Sequence, residues 1–117
     1  MHPDPPSFAS DWIAAWNAHD LARILDHYAP DATLTSPAAA KLLNDPSGTV
    51  MGQPALREYF RRGLEAFPNL QFELLEVLTG LTSVVLLFQN QRGTHTAEFM
   101  EFDSEGKVIR AVANYAG

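Results

Sequence analysis

From Asn69 onward the chain reads as sheet throughout, and no other feature constrains the fold as strongly. Leu70, Phe72 and Leu74 alternate with polar neighbours, after which Leu75 and Val77 carry the apolar pattern on the opposite phase. A phase switch inside one strand predicts a bulge, the device by which a sheet is made to bend. Gly80 turns the chain into the apolar run 84–91, and Gly93 turns it again into 94–102. Asp103-Ser104-Glu105-Gly106 makes a hairpin turn into a last strand, 108–115. The product is an antiparallel meander.

The residues before it are mainly helical. Ser7 is placed to cap a first helix running to about His19, in which Phe8, Trp12, Ile13 and Trp16 recur at helical spacing. Asp20 caps a short second helix with Leu21, Ile24, Leu25 and Tyr28 inward, ended by Pro30. Residues 33–36 alternate as a short strand. Periodicity then fails over 37–52, where Asn44-Asp45-Pro46-Ser47-Gly48 is turn chemistry, and a long loop or lid is expected. Pro54 opens a third helix whose buried stripe is Leu56, Phe60, Leu64 and Phe67. This order predicts a single α+β domain over residues 1–117, a cone-shaped curved antiparallel sheet capped by three helices. A cone of this kind has a hollow at its wide end, suited to a small apolar molecule.

Composition narrows the function. Eight Lys and Arg stand against 14 Asp and Glu, a net charge of −6, so neither nucleic acid nor an anionic membrane surface is expected as a partner. No cysteine is present, which removes disulfides, thiolate nucleophiles and Cys-based metal sites. The histidines lack metal-ligand spacing, and neither a glycine-rich phosphate loop nor a Gly-x-Ser-x-Gly elbow occurs, so no metal or other cofactor is expected. The N-terminal Met1-His2-Pro3-Asp4-Pro5-Pro6 has no signal-peptide character, and a cytoplasmic location is the expectation.

Several segments together resemble the nuclear transport factor 2-like superfamily, and within it the SnoaL-like polyketide cyclases and ketosteroid isomerases. They are 12–20 (WIAAWNAHD), 28–37 (YAPDATLTSP), 52–60 (GQPALREYF), 67–70 (FPNL) and 102–115 (FDSEGKVIRAVANY). The resemblance implies the same cone fold and a homodimer. It also implies positions for catalysis, which differ here from the isomerase pattern. The isomerase base falls at Ser36, a hydroxyl with no base beside it. The oxyanion tyrosine falls at Trp12, and the protonated oxyanion carboxylic acid at Glu98. The aspartate that activates water in limonene epoxide hydrolases falls at Ala113. The segment 93–99 (GTHTAEF) resembles the Gly-Thr-His segment of the cyclases.

Glu98 is the one position that keeps carboxylic acid chemistry. It shares a strand phase with Thr96, Met100 and Phe102, an apolar row expected to face inward, where desolvation would raise its pKa. His95 lies on the opposite phase, and would face the interior only if a bulge followed Gly93. Trp12, Trp16, Tyr28 and Phe60 are expected on the helical wall of the pocket, and Phe88, Asn90, Met100 and Tyr115 on the sheet wall. Ser36 and Asn90 would orient a ligand there. An aromatic stripe at helical spacing is first of all core, and Trp16 is read so by default. Val85, Leu87, Phe99 and Ile109 on the outer face suggest a dimer interface. Three functions stay open: an acid/base catalyst of cyclisation, isomerisation or dehydration with Glu98 as its carboxyl; a binding module without catalysis; and a dimerisation domain with a filled interior.

Overall fold

The computed structural model describes residues 2–117. Helix α1 spans Pro5–Asn17. Its cap is Asp4, not Ser7: the Asp4 carboxylate accepts from the Ser7 N–H at 3.2 Å and from the Ser7 hydroxyl at 2.8 Å. Pro5 and Pro6 explain the shift, because proline lacks the N–H that a first turn leaves unpaired and its φ is already helical. Helix α2 spans Leu21–Leu25 and is capped by Asp20 as expected, through the Arg23 N–H. Asp11 ties the two helices at the surface, 2.6 Å from Arg23 Nη2 and 2.7 Å from His27 Nε2.

Strand β1 spans Tyr28–Thr35 and is longer than the sequence pattern suggests. Pro30 lies inside it instead of ending a helix. A proline cannot donate to a ladder, and the pairing with the last strand is broken there, jumping from Tyr28 opposite Val108 to Thr33 opposite Arg110. Residues 37–52 are also more ordered than a loop. They hold a fourth, short helix α3, Pro37–Leu42, and a three-residue strand β2, Thr49–Met51, paired antiparallel to β1. Helix α4, Gln53–Ala66, buries Leu56 and Phe60. Phe67 leaves its stripe, because φ −126°, ψ 73° takes it out of the helix, and its ring faces the Arg92 guanidinium at 5.8 Å.

Four strands complete the sheet: β3, Glu73–Thr79; β4, Ser83–Gln89; β5, His95–Phe102; and β6, Val108–Tyr115. The six strands lie in the order β2-β1-β6-β5-β4-β3. The predicted phase switch is a register shift: Leu74 faces Phe88 and Glu76 faces Leu87, with Leu75 extra between them. The sheet curves there around α1. Asn17 fastens the end of α1 to the start of β3, donating to the Phe72 carbonyl at 3.0 Å and accepting its N–H at 2.7 Å.

Register sorts the inner face into rows. Phe102 pairs with Val108 at one end, followed by the rows Val84–Met100–Ala111, Leu86–Glu98–Ala113 and Phe88–Thr96–Tyr115. Phe8 of α1 packs edge-on against Phe102, with ring centroids 5.0 Å apart, while Trp12 reaches Phe88 at 5.4 Å. Helix α1 therefore runs along the inner face from its Phe102 end to its Phe88 end.

Gly48 fixes the backbone at the end of β1. Its φ is +60°, its carbonyl accepts the Ser36 N–H at 2.9 Å, and a Cβ there would stand 2.6 Å from the Ser36 carbonyl oxygen. Gly48→Ala is expected to destabilise the protein by about 2 kcal/mol or more in urea melts, and unchanged stability would contradict this backbone contact.

Candidate functional site

Strand β5 alternates as its sequence requires. Thr96, Glu98, Met100 and Phe102 are buried, and Ala97, Phe99 and Glu101 between them are half-buried on the other face. His95 pairs with Gln89 in unbroken register, so no bulge follows Gly93 and the imidazole is on the outer phase, exposed.

Glu98 is only 7% exposed, and among the described residues its carboxyl group has no hydrogen-bond partner. Burial pushes its pKa up to about 7. Three phenols stand close enough to feel its charge. Tyr28, Tyr59 and Tyr115 are each raised above the ordinary tyrosine value, first by burial and further by the negative charge of Glu98. Thus three phenols that stay protonated at physiological pH lie within electrostatic reach of one carboxyl group.

Trp12 reaches this group, its indole Nε1–H donating to the Tyr28 hydroxyl oxygen at 3.1 Å. The Tyr28 oxygen is thereby an acceptor, and its own proton remains available to donate. Ser36 has a different role from a base. Its Oγ accepts the N–H groups of Ala38 at 3.0 Å and Ala39 at 3.3 Å, capping α3. On its other side it lies 3.3 Å from the Tyr115 hydroxyl and 3.5 Å from that of Tyr59. Tyr115 is 41% exposed although its hydroxyl is turned to Ser36, which is buried.

The other expected positions divide. Trp16, Phe60, Phe88 and Met100 are buried in the interior with Trp12 and Tyr28. Asn90 does not join the sheet wall. It lies in the turn beyond β4, where its Oδ1 accepts the N–H groups of Arg92 and Thr94, both at 3.0 Å, which is a turn-closing role. Tyr59 was not foreseen, because the stripe through Leu56 and Phe60 left it apparently on the flank of α4. Its i, i+3 relation to Leu56 was the available signal. Phe72 was also missed. It stacks near-parallel to Trp12 at 6.0 Å and lies 4.5 Å from Phe88.

The concavities of the surface are elsewhere. One of about 320 Å3 lies at the end of the sheet where β5 begins, bordered by Leu87, His95 and Asn114 of the outer phase and by Phe88, Thr96 and Tyr115. A shallower one of about 520 Å3 lies over Pro6, Ser10, Asp11 and Arg23. Neither contains the Glu98 carboxyl. Chemistry and shape disagree here, and the buried carboxyl with its phenols is the more specific signal.

Glu98 links stability to pH with an unusual sign. Unfolded, it ionises near the ordinary value of 4.5; folded, it holds its proton to about 7. Between those values the unfolded state binds fewer protons, so the contribution of Glu98 is fully present at acid pH and declines as pH rises to 7. The decline amounts to roughly 3 kcal/mol and is flat above 7. Urea melts from pH 4 to 8 are expected to show this fall in the parent protein and not in Glu98→Gln. Equal pH profiles would show that the carboxyl is not desolvated.

The comparisons with known proteins follow the same architecture. A SnoaL-like domain model matches residues 9–114. A crystal structure of a SnoaL-like protein of unknown function from Burkholderia thailandensis is 36% identical, with a TM-score of 0.92 over 97% of this chain and 94% of that one. At 9% identity, an NTF2-like protein of unknown function from Cytophaga hutchinsonii superposes with a TM-score of 0.73 over 99% and 93%. The structure of TerC co-crystallised with polyporic acid is 16% identical, with a TM-score of 0.77 over 96% and 91%. No curated protein matches the chain. With nine-tenths of its length under the family model and a relative at 36% identity, this chain belongs to the SnoaL-like family.

Proposed function

We propose that the interior of the cone takes up an uncharged, largely apolar ring compound and that Glu98 transfers a proton on it, without a cofactor. The observation that carries this reading is the buried Glu98, whose carboxyl has no hydrogen-bond partner among the described residues and whose charge reaches Tyr28, Tyr59 and Tyr115. A pKa near 7 populates both the acid and the base form at neutral pH, the condition under which a single group shuttles a proton efficiently. Ionised Glu98 removes a proton from carbon next to a carbonyl group; Tyr28, held by Trp12, donates to the oxygen on which charge develops; the protonated Glu98 then returns the proton at a second carbon. No base is required at Ser36, which is occupied as a helix cap. Isomerisation follows this sequence as written; in ring closure by an enol the proton goes instead to the oxygen of the attacked carbonyl, and in dehydration to the leaving hydroxyl, which departs as water. The nearby side chains include no Lys or Arg, so an anionic substrate is disfavoured. TerC, of the same fold, was co-crystallised with polyporic acid, which supports a small molecule as the kind of ligand.

A non-catalytic binding module is the second reading, and Ser36 favours it, because it provides no second base. The two separate in one experiment. Deuterium exchange at the α-carbon of 2-tetralone in D2O, followed by NMR, is expected to be accelerated by the protein. It should fall roughly 100- to 10,000-fold in Glu98→Gln. Binding of 2-tetralone without acceleration would favour the module.

A second copy of the chain is the proposed cover for the outer sheet face. Val85, Leu87, Phe99 and Ile109 are half-buried there, and Leu75 and Leu78 are 47% and 45% exposed. Sedimentation at micromolar concentration should give twice the monomer mass, and Leu87→Asp should halve it. A monomeric parent protein would overturn the dimer.

A further inference from the structure

Trp16 carries a polar group that the proton-transfer reading leaves unused. The residue is 9% exposed, and its indole N–H is buried with no acceptor among the described residues. A buried donor without a partner costs about 1–3 kcal/mol, and such groups are scarce enough in folded proteins to call for an explanation. The ring itself is well held: Phe60 lies edge-on to it at 5.1 Å, Phe72 at 5.8 Å and Trp12 at 6.0 Å. Packing alone would be served by phenylalanine or leucine at this position, with no orphan donor.

The two tryptophans differ by one turn of α1, about 6 Å along the helix axis. Trp12 has given its N–H to Tyr28, one of the phenols that feel the charge of Glu98. Trp16 lies a turn further along, on the side of Phe60 and Phe72, toward the end of the helix that Asn17 fastens to β3. Its ring is set among these aromatic neighbours, one helical turn from the tryptophan that serves Tyr28.

We infer that the Trp16 indole N–H is a ligand-binding donor, and that the ligand carries a second neutral oxygen acceptor, an ether, hydroxyl or carbonyl oxygen, on the far side of its ring system from the reacting carbonyl. The inference rests on the interior being a ligand site, and it adds that the ligand is oxygenated at both ends. A neutral acceptor is required because aromatic rings surround the donor and no cation stands there to balance a carboxylate or phosphate.

Two probes of equal shape test it: 6-methoxy-2-tetralone and 6-ethyl-2-tetralone, which differ in one ether oxygen. The parent protein is expected to bind the methoxy compound roughly 3- to 10-fold more tightly, the range of one net hydrogen bond. Trp16→Phe should abolish that preference while leaving affinity for the ethyl compound within about twofold, and Glu98→Gln should keep it. The Trp16 indole proton resonance, observed in the parent protein and independent of how well any variant folds, should move downfield with the methoxy probe only. Equal binding of both probes by the parent protein, or a preference that survives in Trp16→Phe, overturns the role of Trp16 and leaves the Glu98 reading standing. Failure of the parent protein to bind either probe overturns both.

Discussion

One extra residue, Leu75, sets the geometry on which everything else depends. Without it β3 would continue flat beside β4, and α1 would cover one face of an open sheet. With it the sheet bends, and the rows on its concave face close around a single helix. Helix α1 then lies along that face, with Phe8 at Phe102, Trp12 between Phe88 and Tyr28, and Trp16 against Phe60 and Phe72. The bend makes the interior deep enough to remove a side chain of the middle row from water, and the residue at that depth is Glu98. A buried carboxyl group is a consequence of curvature combined with strict alternation along β5.

Burying that group carries a cost that the fold meets by protonation instead of by pairing. An ion pair with Lys or Arg would have held the carboxylate low in pKa and made it inert. Neutral phenols do not, since none is hydrogen-bonded to the acid and none carries a charge that would hold it ionised. A purely structural interior would gain by replacing Glu98 with an apolar residue of similar volume, because nothing in the core uses its oxygens. The same holds for the N–H of Trp16. Two polar groups with structural costs and no structural partners, in the same interior, favour a functional interior over a merely filled one.

Much of this was legible in the residues because the signals were local. The phase switch at Leu74–Leu75, the inward row Thr96–Glu98–Met100–Phe102, the Asp20 cap and the last hairpin all follow from alternation, turn chemistry and capping within a few positions. What was missed depends on distant partners. Strand β2 is three residues whose only reason to be extended is β1, and β1 tolerates Pro30 because its ladder with β6 is interrupted there. Asn90 looked like part of a strand until the turn at Gly93 claimed its side chain. Tyr59 meets Ser36, which also meets Tyr115; the i, i+3 relation to Leu56 gives the side of α4 it lies on but not these partners from other elements.

Ser36 shows how a position can keep its place in a site after its chemistry has changed. A hydroxyl that accepts two backbone N–H groups has its lone pairs committed, so its oxygen is a poor proton acceptor even before its intrinsic basicity is considered. Its remaining proton can be offered only to Tyr59 or Tyr115, and either choice orients a phenol beside Glu98. The position thus organises donors instead of removing protons. Water activation is also poorly served, since Ala113 leaves a methyl group opposite Glu98 in the row where a second acceptor would be needed. A site with one carboxyl group, several neutral donors and no second base is suited to moving one proton between two atoms of the same molecule, and much less to hydrolysis.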